Sequence, residues 1–367
     1  LFGESDTVSH HFWRFHDPDS PRHPRGCSSV LRDTIATVYE RLDLALERLV
    51  EASAPEWICL CSDHGFGGSG VHVLHLNRFL EDAGWLGYQG GRGRRPLSWV
   101  EPARRWAVGH LPHSWPGRVF RRLPRRSAGR LESAARFGGV DFGSTRAISD
   151  EMNYAATIRL NLPPESSRHC AVAELSERLT SWEVDGQRPV RRVWTREQLY
   201  HGPCVERSPE LVLELNLREG YTYTLLPSAR VPPGTTWRAL SAEDHGGGKG
   251  IGMNGSHRQH GLLWLWGPGV KPGVELKAGV RPPHGCAEGA NVEDVAPTLL
   301  HLLGVSPVPW MDGRVLVEGL HPAEQDSPGL DRAFVTTMPG SEADGPGWPV
   351  GGERSLRDRL SSLGYLP

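Results

Sequence analysis

Between Ser28 and Ala54 the apolar residues Leu31, Ile35, Val38, Leu42, Leu44, Leu46 and Leu49 recur mostly three and four positions apart. That spacing is one face of an amphipathic helix, and Pro55 ends it. Trp57–Leu60 follows as a short apolar run, the pattern of a buried strand. It leads into Cys61-Ser62-Asp63-His64 and then "GFGGSG", four glycines in six residues. Leu74–Gly84 predicts a second helix with Gly84 as its cap. Farther on, Thr157–Leu160 and Leu211–Leu215 alternate like strands, and Ala171–Trp182 predicts a helix. Gly261–Trp266 is another buried-strand pattern, "GPGVKPG" a turn, and Val292–Leu303 a closing helix. Helix-then-strand order near the start and strand-then-helix order near the end predict an α/β core. Residues 1–85 and 245–367 read as its two parts, with 86–244 an Arg-rich linker and α+β region inserted between them.

The 367 residues allow one large α/β domain with an insertion, or two domains. A formal net charge of -2 gives no reason to expect a nucleic-acid partner, and no apolar run approaches the roughly 20 residues that span a bilayer. The six cysteines are scattered without a CxxC pair, which favours a reducing, cytoplasmic setting over a disulfide framework. Lysine occurs only at 249, 271 and 277, so arginine fills the ordinary surface positions. Between Gly90 and Arg130 there are eleven arginines against one acid, Glu101. The prolines there break up any regular face, so the segment reads as a solvated linker rather than a basic patch for an anion.

The polar end of the Trp57–Leu60 strand changes the picture. An acid and an imidazole at such a place cost free energy unless something pairs with them. A metal ion would do so, and the glycines would leave room beside it for a phosphate group. Other candidate ligands are present. In "ESDTVSHHFW", Asp6 and His10 stand one helical turn apart and face the same way. In "NGSHRQHG", His257 is a loop histidine just before an apolar strand. Two aspartates and three histidines at the ends of elements suit two nearby divalent ions. His11 and His260 lie beside these candidates and compete with His10 and His257. Asp244-His245-Gly246 repeats the D-H-G string without a strand before it.

The order of these motifs resembles the alkaline phosphatase superfamily: D-x-x-x-H, a helix, a strand running into S-D-H-G-F, an inserted region, then G-x-H-R-x-x-G. The nearest resemblance is to its type I phosphodiesterase/nucleotide pyrophosphatase branch. "NVEDVAPTLLHLLGVSPVPWMDGRVL" and the final "LRDRLSSLGYLP" are similar to that branch's closing segments; "VDFGSTRAI" and "REQLYHGP" are similar to parts of its inserted region. The resemblance implies a three-layer α/β/α core with a mostly parallel sheet, plus an inserted cap. It implies two divalent ions, zinc or manganese, with Asp6, His10 and His257 on one and Asp63 and His64 on the other. It implies hydrolysis of a small-molecule phosphate ester, a phosphodiester or a nucleotide pyrophosphate bond. The family's nucleophile and a further Asp ligand are expected upstream of Leu1, so the chain as given is expected to hold the first ion more firmly and to turn over poorly. Sulfate esters, phosphonates and phosphomonoesters are the alternative substrates, and a non-catalytic metal- or phosphate-binding relative is the alternative outside enzymes.

Overall fold

The computed structural model describes residues 1–89, 137–152, 155–162, 167–202, 204–229, 231–242, 244–246, 252–279, 289–308 and 311–322. The whole Arg-rich 90–130 stretch and the final "LRDRLSSLGYLP" lie outside these residues. Helices and strands are mixed along the chain, as the α/β reading requires. Among the described residues, contacts divide the chain into two compact units. One holds 1–6, 36–66 and the residues from His257 on; the other holds 7–35 and the residues from 67 to 256. These breaks at 66/67 and 256/257 stand beside the boundaries expected at 85/86 and 244/245.

Helix α1 (Glu4–His16) opens on Glu4 and Asp6 and closes on Arg14 and His16. Acids at the start and bases at the end complement the helix dipole. The helix expected over 28–54 forms as two pieces, α2 (Ser29–Arg32), capped by Ser28, and α3 (Thr34–Ser53), with Asp33 between them. Ala54, between the end of α3 and Pro55, leaves the right-handed helical region with a φ of 42°.

In the first unit, β1 (Ile58–Cys61) pairs with β11 (Leu263–Trp266), antiparallel, from Ile58↔Trp266 to Cys61↔Leu263. This corrects two expectations. The strand is not one of a parallel set, and it is not buried: Trp264 is 46% exposed and Trp266 52%. A continuous apolar run records the surroundings a strand suits, and a two-stranded ladder covers only part of it. After a 3₁₀ turn at Val292–Asp294, the closing helix runs Val295–Leu302. Asp294 is buried there as a cap, its Oδ2 accepting from Asn291 N at 2.8 Å and its Oδ1 from Arg314 N at 2.8 Å.

The second unit carries two sheets. One has the order β10-β2-β8-β7, with β9 also on β2: β2 is Gly65–Leu74, β7 Leu217–Arg218, β8 Tyr221–Leu225, β9 Trp237–Ala239 and β10 Gly255–Arg258. The other, β3-β4-β6-β5, comprises Ala147–Ile148, Thr157–Leu160, Leu211–Leu215 and Val190–Thr195. The β2–β8 pair is parallel, whereas β2–β9, β7–β8 and every described pair of the second sheet are antiparallel. The sheets are therefore largely antiparallel, not mostly parallel as expected. Helix α4 (Leu76–Asp82) and the helix Arg168–Ser181 supply buried Leu76, Leu80, Leu175 and Leu179 to one apolar core with Ile158 and Leu211.

A candidate metal centre

The Asp63–His64 turn is fixed by Ser62. Its backbone N–H donates to the Leu262 carbonyl at 2.9 Å, and its hydroxyl accepts from Leu262 N at 2.7 Å. These bonds extend the β1–β11 ladder by one step and hold the start of β2 against the loop after β10. The fit is close: a Cβ at Gly65 would overlap the carbonyl of His260. Two histidines far apart in sequence are thereby brought ring to ring. His64 and His257 stack with centroids 3.6 Å apart and planes 16° from parallel. Phe66 and His257 meet in a T-shaped contact with ring centroids 5.8 Å apart.

Both imidazoles aim Nε2 at one oxygen from α1. Asp6 Oδ1 lies 3.3 Å from His257 Nε2 and 3.7 Å from His64 Nε2. The three side chains are 22–25% exposed, accessible to an ion yet partly shielded from water. Among the described residues, they are the group whose ligand atoms all lie within 4.8 Å of one another. Ligand atoms about 2.1 Å from a tetrahedral centre stand about 3.4 Å apart, close to the separations seen. His64 Nδ1 lies 2.9 Å from the Gly65 carbonyl and donates to it. With Nδ1 as the donor, a neutral ring would turn its Nε2 lone pair toward the carboxylate, and a cation between the two would relieve their repulsion. Backbone hydrogen bonding of the far ring nitrogen is also how metal-ligating histidines are oriented. Two imidazole nitrogens and one carboxylate oxygen form a donor set suited to zinc and its neighbours.

The structure regroups the expected ligands. Asp6 and His257 meet, as expected, but the third member is His64, which had been paired with Asp63. The Asp63 carboxylate is 85% exposed, with Oδ1 3.6 Å from His64 Nε2. His10 lies one turn beyond Asp6 on α1, across the boundary between the units. It is buried, and its Nδ1 donates to the Gly255 carbonyl at 2.8 Å. The competing histidines fare differently from their neighbours: His11 and His260 are exposed.

The role expected of the glycines is also corrected. They belong to strand β2, and the space left by their missing side chains is filled by protein. A Cβ at Gly68 would lie 2.7 Å from the Tyr221 ring, and one at Gly70 would lie 3.1 Å from the Thr222 carbonyl. At Gly65, Gly68 and Gly70 the missing side chains permit close packing of neighbouring chain and leave no room for a phosphate. Sequence reasoning missed Ser62 as the residue that sets the turn. Its place between an apolar strand and Asp-His was visible, but its partner at Leu262 was not.

No family model, curated protein or solved structure matches the chain. Among the described residues, no helix is long and apolar enough to cross a membrane.

Proposed function

We propose that this protein is a metal-dependent hydrolase of phosphate esters, acting on phosphodiesters or nucleotide pyrophosphate bonds. The observation that carries the reading is the meeting of Asp6, His64 and His257. They come from the three stretches that resemble the metal motifs of the alkaline phosphatase superfamily. The superfamily's three-layer core belongs to the same proposal, with the parallel β2–β8 pair its nearest support. Asp6, His64 and His257 would hold a divalent ion, zinc or manganese. When bound, the ion would supply Lewis acidity toward a phosphoryl oxygen and lower the pKa of an oxygen nucleophile. The chain's own part is to hold Nε2 of both rings toward Asp6, through the Gly65 carbonyl on His64 and the Phe66 ring against His257. The covalent nucleophile of the family is not one of these three groups.

Calorimetry with zinc and manganese tests the site, and turnover of an aryl phosphodiester tests the chemistry. His64→Ala and His257→Ala should each weaken metal binding at least about 100-fold, more than loss of an outer-shell partner costs. Unchanged affinity in both variants would remove the site. Tight metal binding with turnover of sulfate esters alone would transfer the chain to the sulfatase reading, and tight binding without turnover of any ester, even in a longer chain that carries the preceding strand and helix, would transfer it to the non-catalytic one.

A further inference from the structure

In the second unit, three basic side chains converge where α1 meets the 3₁₀ turn Asp244–Gly246. Arg22, 1% exposed, donates from Nε to the Gly70 carbonyl at 2.9 Å and from Nη1 to the Met253 carbonyl at 2.8 Å. It also reaches the Thr224 hydroxyl at 3.4 Å. None of these acceptors is charged. Arg14 approaches the same region from α1, its Nη1 3.4 Å from the His245 carbonyl. That contact is too long to satisfy a guanidinium. His245 is 8% exposed.

Among the described residues, Arg14 Nε and His245 Nε2 are both buried without a hydrogen-bond partner. Neither side chain is in an ion pair among the described residues. The nearest acid in sequence, Asp244, is turned to Ser241 and Arg238, accepting from Ser241 N at 3.1 Å and from Arg238 Nη1 at 3.4 Å. A buried guanidinium, that of Arg22, beside two unpaired buried nitrogens is costly. Burial and the mutual repulsion of these groups hold Arg22 down at about 10, and burial with the fields of both arginines pushes His245 below the usual histidine range. An anion accepting from the open donors would relieve that cost, and charge-assisted bonds of this kind are the strong ones.

We infer that Arg14, Arg22 and His245 form a binding site for a phosphate-sized oxyanion. Arg14 and His245 supply the directed donors, and Arg22 supplies charge from behind. The site needs none of Asp6, His64 or His257, so it goes beyond the proposed activity and stands without it. The D-H-G string at 244–246, which has no part in the metal centre, acquires a role through its histidine.

The test uses the whole chain stripped of metal with a chelator and titrated with inorganic phosphate at constant ionic strength. The melting temperature should rise with phosphate and stay flat with chloride. Arg14→Gln and His245→Gln, checked for fold by circular dichroism, should each raise the half-saturating phosphate concentration about 10-fold or more. Arg14→Lys keeps the charge without the Nε donor and should fall between. That variant decides the matter if the glutamine substitutions do not fold. A wild-type chain stabilised no more by phosphate than by chloride would overturn the inference. So would Arg14→Gln or Arg14→Lys responding like the wild type.

Discussion

The two compact units differ in how completely they cover their apolar side chains. In the unit spanning 67–256, Leu74, Leu76, Leu80, Ile158, Leu175, Leu179 and Leu211 are all at 0% exposure in one cluster. In the other, Leu316 and Leu320 are the fully buried leucines among the described residues. There Leu44, Leu49, Leu262, Trp264, Trp266 and Leu303 stand between 46% and 61% exposed. A groove of about 960 Å³ runs along β11, lined by Leu263, Leu265, Val270, Leu276, Leu299 and Leu316. The composition of the two regions does not explain this, since both contain strongly apolar strands. What differs is layering. The β3–β6 sheet has a helix laid on it; β1 and β11 have each other. Candidate chemistry follows the same division: the possible metal ligands sit in the open unit, and the basic cluster sits in the closed one.

The largest effect should come from the closed core. Ile158→Ala or Leu175→Ala should cost about 2–5 kcal/mol in urea denaturation, the range for truncating a buried aliphatic side chain. A cost under 1 kcal/mol at both positions would mean that the core is no better packed than the open unit.

Acid should act next, and on the same unit. His75 is buried, its Nδ1 3.1 Å from the Leu226 carbonyl, and burial pushes its pKa down to about 4. In the unfolded chain it titrates near 6.5, so below that pH the unfolded state binds the extra proton. Stability is therefore fully present above about 6.5 and falls as pH drops toward 4, by about 3 kcal/mol in total from this residue. Hydrogen exchange between pH 7 and 4 should show protection falling in β2 and β8, and His75→Asn should flatten that slope. An identical slope in the variant would assign the acid sensitivity elsewhere.

The smallest effect should come from the open unit. Trp264→Ser and Trp266→Ser should each change stability by less than about 1 kcal/mol and lower the binding of a hydrophobic dye. A loss of several kcal/mol at either position would show that these rings are covered in solution and would dissolve the contrast between the units.

Much of this was legible along the chain because it depends on neighbours in sequence. The spacing of Leu31 to Leu49 marked a helix, Pro55 marked its end, and the run before Asp63 marked a strand. The pattern of Val292–Leu303 was readable as a closing helix. Asp6, His64 and His257 were readable as metal-ligand types at the ends of elements, because metal binding restricts residue chemistry. Which of them share an ion could not be read. That choice rests on Ser62 meeting Leu262 and on Gly65 admitting the His260 carbonyl, contacts across long stretches of chain. The direction of strand pairing was equally hidden: a continuous apolar run fits a parallel strand, yet antiparallel partners took β1 and β11. The glycines after His64 announced close approach, but only the fold decided that the approaching group is the protein's own backbone. Local preference is set within a few residues of the chain; partnership is set by the free energy of the whole packed arrangement, and the tertiary structure alone decided it.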